Sequence, residues 1–133
     1  MKINMLSLKS ITEICLYSKD LIKSEHFYAE ILGLELIDST DNHVFFRVGE
    51  QVLLIFDPNH SKTQEDLPGH FAHGNQHIAF TATKDQYETW KNRVLSHGVA
   101  VIKEHTWKRD LKSFYFRDPD DHVIEILEGN IWI

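Results

Sequence analysis

The sequence predicts an α+β fold made of two βαβββ modules that together form an open, barrel-like cleft. Two observations carry this prediction. The order strand, helix, three strands runs through the first half of the 133-residue chain and then starts again. The landmarks also repeat at nearly constant spacing. Glu13 and His77 open the two halves, Gly33 and Gly98 end the two helices, and "LGLEL" and "HGVAV" fill the same slot. The halves share little identity, so the repeat lies in element order and spacing.

Each element has its own signal. "SITEICLY" alternates as a strand does, with Glu13, Cys15 and Tyr17 on one face and Thr12, Ile14 and Leu16 on the other. "SKDLIKSEHFYAEILGL" carries Leu21, Phe27, Ile31 and Leu32 at mostly helical spacing, and Gly33 is a C-cap. "LELIDS" reads as a strand. "HVFFRVG" and "QVLLIFD" read as two strands joined by a tight turn at "GE", and Pro58 stops the pattern. The turn-rich "PNHSKTQEDLPGHFAHGNQ" is the connection. Module one then spans about residues 8–58, the linker 59–75 and module two about 76–130, all within one domain. In module two, "HIAFTA" is a strand and "DQYETWKNRVLSHG" a helix with a buried stripe of Tyr87, Trp90, Val94 and Leu95. "VAVIKE", "SFYFRD" and "HVIEIL" follow as strands, with a turn at "DPDDH". The stretch "EHTWKRDLK" makes the second half longer than the first.

Composition narrows the class of function. Apolar residues make up 42% of the chain and charged residues 26%, ordinary values for a globular protein. The formal net charge is −6 and the basic residues are scattered, which argues against a nucleic-acid partner. No apolar run approaches the ~20 residues of a membrane helix, and the first residues lack a signal-peptide pattern. The single cysteine, Cys15, excludes an internal disulfide and suits a reducing compartment. Cys15 itself reads as a small buried apolar residue. A cytoplasmic protein is the expectation.

The cleft supplies the chemistry. A sheet with a helix on one face leaves the other face to be buried or used. In "HVIEIL", Ile124 and Ile126 face the helix, so Glu125 faces the cleft. Glu13 and His77 open the equivalent strands of the two halves. A carboxylate enclosed in mid-strand is costly unless it is paired or coordinated. Two carboxylates and a neutral imidazole carry the −2 charge that balances a divalent cation, and N/O ligation suits Mn, Fe, Co, Ni or Zn. Taken alone, each of these residues is as well explained by a solvated strand face or an ion pair. His60, His70 and His73 in the linker read as solvated, and His43, His97, His105 and His122 as turn residues.

Three motifs in sequence order resemble the vicinal oxygen chelate superfamily, which includes glyoxalases, bleomycin resistance proteins and extradiol dioxygenases. They are "EICLYSKDLIKSEHFYAEILGLEL", "GNQHIAF" and "SFYFRDPDDHVIEILEGNIW", and they cover nearly the whole chain. The resemblance implies a glyoxalase-like fold, a homodimer, and a divalent metal that chelates vicinal substrate oxygens. It places His77 and Glu125 at the second-module ligand positions. Glu13 falls at the first-module position, where many members carry histidine. Leu54 falls where glyoxalase I has a fourth, carboxylate ligand, which weighs against that activity.

"SFYFRDPDDHVIE" is similar to the fosfomycin-modifying enzymes, in which Ser113 and Tyr115 match substrate-contacting positions. The monovalent-cation loop of the thiol transferases among them is not recognisable in "KEHTWKRDLK". Functionally undefined bacterial members are similar over the whole length. Arg47, which shares a face with Phe45, together with Phe56 and Trp107, completes the set of candidate substrate contacts. Tyr115 is the candidate catalytic residue.

The expected function is that of a metal-dependent lyase, isomerase or thiol transferase acting on a small oxygenated substrate. The alternatives are a drug- or toxin-sequestering protein of the bleomycin-resistance type and a fosfomycin-modifying enzyme. A dioxygenase fits less well, because it favours two histidines and one carboxylate.

Overall fold

The computed structural model describes residues 6–133. Module one consists of β1 (Glu13–Tyr17), α1 (Leu21–His26), β2 (Glu35–Ser39), β3 (His43–Val48) and β4 (Gln51–Phe56). A short helix α2 (Pro58–Ser61) opens the linker. Module two consists of β5 (His77–Thr81), α3 (Tyr87–Ser96), β6 (Lys103–Thr106), β7 (Lys112–Arg117) and β8 (Val123–Leu127). The two four-stranded sheets have the same order, β1-β4-β3-β2 and β5-β8-β7-β6, with the first pair of each parallel.

The repeat is exact in register. Glu13 pairs with Val52, and Val52 with Arg47; His77 pairs with Val123, and Val123 with Arg117. Leu54 and Phe45 in sheet one stand where Glu125 and Tyr115 stand in sheet two. The predicted equivalence of Glu13 with His77 is therefore a structural one.

Local chemistry explains the helices. The Asp20 carboxylate accepts from Lys23 N at 3.1 Å and caps α1. The helix then widens into a π turn over Phe27–Ile31, closed by Leu32 N donating to Phe27 O. This change of phase buries Phe27, Tyr28, Ile31 and Leu32 together. Gly33 and Gly98 end the helical segments at φ 66° and 78°, a conformation that costs glycine nothing.

One core serves both modules. It lies on the helix side of the sheets and joins Leu16, Phe46 and Leu53 of module one to Phe114, Phe116 and Ile124 of module two. The Phe27 and Phe116 rings meet across the boundary at 6.1 Å. Arg93 of α3 donates to the carbonyls of Ile31 and Glu30, at 2.7 and 2.8 Å, and so satisfies the end of the first helical segment. Both sheets consequently turn their other faces outward.

A buried polar chain fixes the seam. Tyr28 Oη donates to Asp118 Oδ2 at 2.7 Å, and Asp118 Oδ1 accepts the amides of Asp120 and His122. The His122 ring, 2% exposed, donates from Nε2 to Tyr17 O at 2.7 Å and accepts at Nδ1 from Gln76 N at 2.9 Å. The end of β1 at Tyr17 thus lies beside the start of β5. At the far end, Val52 shares a cavity with Phe80 and Thr81, so β1 and β5 run in opposite senses.

Two sequence expectations change. The strand expected from "VAVIKE" begins only at Lys103, because Val99 and Val101 pack on the core instead of joining the ladder. The histidines differ too: His43 opens β3 and His105 lies within β6 rather than in turns, and His122 and His70 are neither solvated nor plain turn residues. His122 holds the seam, and His70 Nδ1 lies 2.7 Å from Tyr17 Oη on the open face of sheet one.

Burial pushes the carboxyl of Asp118 up from its ordinary range, while the Tyr28 hydrogen bond pulls it back down. Tyr28→Phe is expected to lower unfolding free energy by about 1.5–3 kcal/mol, the scale of a buried hydrogen bond to a charged group. Urea denaturation at pH 7 checks this. The loss shrinks at low pH, where Asp118 is neutral in both states.

Candidate metal and substrate site

The open face of sheet two carries His77, Glu125, Tyr115, Ser113 and Arg117. Their positions follow from strand parity, since Ile124, Ile126, Phe114 and Phe116 occupy the core face. His77 Nδ1 lies 2.8 Å from Val123 O. A carbonyl only accepts, so Nδ1 carries the proton and Nε2 presents its lone pair. That lone pair points at Glu125 Oε1, 3.2 Å away.

Glu125 is 5% exposed, and its second oxygen, Oε2, has no hydrogen-bond partner. The described residues contain one other such buried acceptor, Gln76 Oε1, next to His77. Two acceptor atoms in contact, one on a buried carboxylate, require a proton or a cation between them. A histidine tethered by a backbone carbonyl at one nitrogen and aimed with the other is the usual arrangement of a metal ligand. The donor set therefore fits a divalent cation.

The Tyr115 ring lies 6.2 Å from that of His77. Its hydroxyl sits between Ser113 and Glu125. Burial raises its pKa, the Ser113 hydrogen bond lowers it, and the Glu125 hydrogen bond and charge raise it. At neutral pH Tyr115 is consequently a proton donor. Ser113 is fully buried, and its Oγ accepts from Trp107 Nε1 at 2.9 Å. Ser113 thus ties Trp107 to β7, on the face that carries Tyr115. Trp107 and Tyr115, with Lys103, His105, Ile102 and Val123, surround a cavity of about 370 Å³.

The remaining predicted residues lie on sheet one. Glu13 is exposed and shares a cross-strand row with Val52 and Arg47. Arg47 Nε donates to Glu35 Oε2 at 3.3 Å. Phe56 belongs to an aromatic group with Phe45, His43, Tyr17 and His70, in which His43 and Phe45 stack at 3.9 Å. Cys15 lies in the same face. Burial and then the charge of Glu13 raise its thiol pKa, so it is a poor nucleophile.

Within one chain, Glu13 does not meet His77 and Glu125. Among the described residues no three His, Cys, Asp or Glu side chains gather into a metal-binding group. The reason is the antiparallel seam. Tyr17 lies at the His77 end of β5, and Glu13 lies four residues back along β1, roughly 13 Å away at strand spacing.

The chain belongs to the glyoxalase/bleomycin resistance protein/dioxygenase superfamily, whose family model matches residues 10–126. Among curated proteins it is similar to the metallothiol transferase FosB of Staphylococcus saprophyticus, 28% identical over 93% of this chain and 80% of that protein. It is also similar to the glutathione transferase FosA of Serratia marcescens, 28% identical over 93% of this chain and 84% of that protein. A crystal structure of lactoylglutathione lyase from Agrobacterium tumefaciens matches with TM-score 0.89 and 35% identity, over 95% of this chain and 98% of that one. The fosfomycin resistance protein FosX of Listeria monocytogenes, crystallised as a mutant with Mn(II) and a dihydroxypropylphosphonic acid, matches with TM-score 0.72 and 25% identity over 94% of both chains. No helix among the described residues is long and apolar enough to cross a membrane.

Sequence reasoning passed over Arg117 as a site residue, although its parity with Tyr115 was readable, and it missed the roles of His122 and His70. The two histidines contact residues 105 and 53 positions away, which no local pattern encodes.

The Tyr115 hydroxyl provides a test. In an absorbance titration, Ser113→Ala is expected to raise its pKa further, because a stabilising hydrogen bond is lost. Glu125→Gln is expected to lower it, because a neighbouring negative charge is lost.

Proposed function

We propose that this protein is a divalent-metal-dependent enzyme that joins a thiol to a small oxygenated electrophile. The observation that carries this reading is the pair of His77 Nε2 and Glu125 Oε1 at 3.2 Å, with the imidazole tautomer fixed and the other carboxylate oxygen unpartnered. His77 and Glu125 hold the metal, and Glu13 of the partner subunit completes the set. A two-fold homodimer that sets sheet one of each copy against sheet two of the other makes two equal sites. It also covers both open faces. When bound, the metal acts as a Lewis acid toward the substrate oxygens.

The residues of the chain perform the remaining work. Trp107 and Val123 line an apolar cavity that orients the electrophile, and Phe56 and the aromatic group of sheet one close it from the partner side. The thiolate sulfur attacks a carbon of the electrophile. The S–C bond forms, the C–O bond breaks, and Tyr115 delivers a proton to the departing oxygen, being reprotonated from solvent by the equivalent of the proton that the thiol lost on ionising. Tyr115 is suited to this because its surroundings keep it protonated. The FosB and FosA names attach to thiol transferases, which supports this chemistry over others.

The lactoylglutathione lyase likeness raises isomerisation as a second reading. Moving a proton along a substrate calls for a base beside it. The register position equivalent to Glu125 in sheet one is Leu54, which cannot serve, and Tyr115 is held in its acid form. Thiol addition makes no demand for a base beside the substrate carbon, since the thiol can ionise to solvent before it attacks.

Elemental mass spectrometry of untagged, chelator-free protein tests the proposal. Close to one divalent ion per chain is expected for the wild type, and almost none for His77→Ala. Metal at 100 times Kd should stabilise the wild type by ~2.7 kcal/mol and leave the variant unchanged. Mixing Glu13→Ala with His77→Ala chains should restore one intact site in each mixed dimer. Absence of metal from the wild type, with none taken up on titration, would sink the metal enzyme and leave a sequestering protein. Loaded protein is then assayed with glutathione and fosfomycin, and against a hemithioacetal for the isomerase reading.

A further inference from the structure

A second cleft, of about 600 Å³, lies at the seam, where the end of β1, the end of the linker and the β7–β8 turn meet. Its walls include Lys19, His73, Asn75 and Arg117. Neither Lys19 nor Arg117 makes an ion pair among the described residues. Among the described residues the Arg117 guanidinium makes one hydrogen bond, from Nη1 to the carbonyl of Asp121 at 3.2 Å, which neutralises no charge.

Two carboxylates also reach this cleft, and they differ. Asp120 is engaged: Oδ1 accepts from Lys19 N at 2.8 Å and Oδ2 accepts from Ser24 Oγ at 3.3 Å. Asp121 is exposed, held at φ 64° by the turn, and its carboxylate makes no ion pair among the described residues. The His122 ring, which also lines the cleft, has both nitrogens committed to backbone partners and offers the cavity neither donor nor acceptor. The available groups are therefore mainly cationic or amide in a chain whose net charge is −6. A guanidinium with free N–H groups beside an ammonium matches a carboxylate or a phosphonate.

Position gives the cleft its meaning. Arg117, Val123 and His77 form one cross-strand row on the open face. Asn75 lies two residues before His77. Arg117 lines the cleft and its cross-strand partner Val123 lines the cavity walled by Trp107 and Tyr115, so the two adjoin along this row.

We propose that the seam cleft is an anion-binding site, in which Arg117 and Lys19 hold a carboxylate or phosphonate group of a small molecule whose other end reaches His77. Two sources share this chemistry: the acidic tail of a peptide thiol, or an anionic substituent on the electrophile. The charge pattern stands whether or not His77 binds a metal, so the test uses metal-free protein.

Backbone and arginine side-chain 1H–15N spectra are recorded in chelator while S-methylglutathione or methylphosphonate is added. Saturable shifts confined to Arg117, Lys19 and residues 72–75 are expected with at least one probe. Arg117→Gln should weaken that probe's binding about tenfold or more, and Lys19→Gln should also weaken it. Asp121→Asn should tighten binding, because it removes an opposing charge. Lys84→Gln, far from the cleft, should leave it unchanged. All four residues are exposed, and matching thermal melts confirm that the variants are folded. Arg117-dependent binding of S-methylglutathione alone assigns the cleft to the thiol tail, and of methylphosphonate alone to the electrophile. No saturable binding of either probe, or binding that Arg117→Gln does not change, overturns the proposal. Failure to load metal in the separate experiment leaves it standing.

Discussion

The structure depends on how one buried carboxylate is satisfied. Asp118 sits in the β7–β8 turn, mostly removed from water, where an unpartnered carboxylate would cost several kcal/mol. Tyr28 from the other module and two backbone amides of its own turn supply its hydrogen bonds. Those bonds hold His122, and His122 in turn ties Tyr17 of β1 to Gln76 at the start of β5. A single chain of hydrogen bonds thereby fixes the angle between the two modules, the antiparallel seam and the placement of His77.

That seam decides what each face can do. The helices merge into one core, so neither sheet can cover the other's open face within the chain. The open face of sheet two has the pre-aimed imidazole and the enclosed carboxylate. That of sheet one has an aromatic floor and Glu13. The repeat has diverged by division of labour: where sheet two has Glu125 and Tyr115, sheet one has Leu54 and Phe45 at the same register positions. At these positions one half keeps polar, ionisable side chains and the other apolar ones. Matching Arg47 and Arg117 show the same divergence. Arg47 is paired with Glu35, while Arg117 keeps its charge available at the seam.

Much of this was legible in the sequence. Alternation placed Glu125 opposite Ile124 and Ile126, and that prediction is met by a core face at 0% and 4% exposure with Glu125 on the other side. The order of elements revealed the duplication, and near-constant spacing gave the equivalence of Glu13 with His77 that the strand registers reproduce. Periodicity also predicted both helices, but not the π turn. That turn exists because Phe27 and Tyr28, adjacent in sequence, both pack into a core drawn from two modules.

By itself, then, the sequence determined the modules, the face on which each side chain stands and the residue types available for chemistry. These follow from periods of two and 3.6 residues and from short-range turn geometry, which are local properties of the chain. Only the tertiary structure decided that His77 and Glu125 meet while Glu13 stands apart, that Ser113 is sealed beneath Trp107, and that His122 is a buried strut. The meeting of His77 with Glu125 and the cover over Ser113 come from pairing within sheet two, whereas the separation of Glu13 and the burial of His122 depend on the sense in which the edge strands β1 and β5 face one another. That sense is fixed by hydrogen bonds between residues up to 105 positions apart, a separation over which no local pattern carries information.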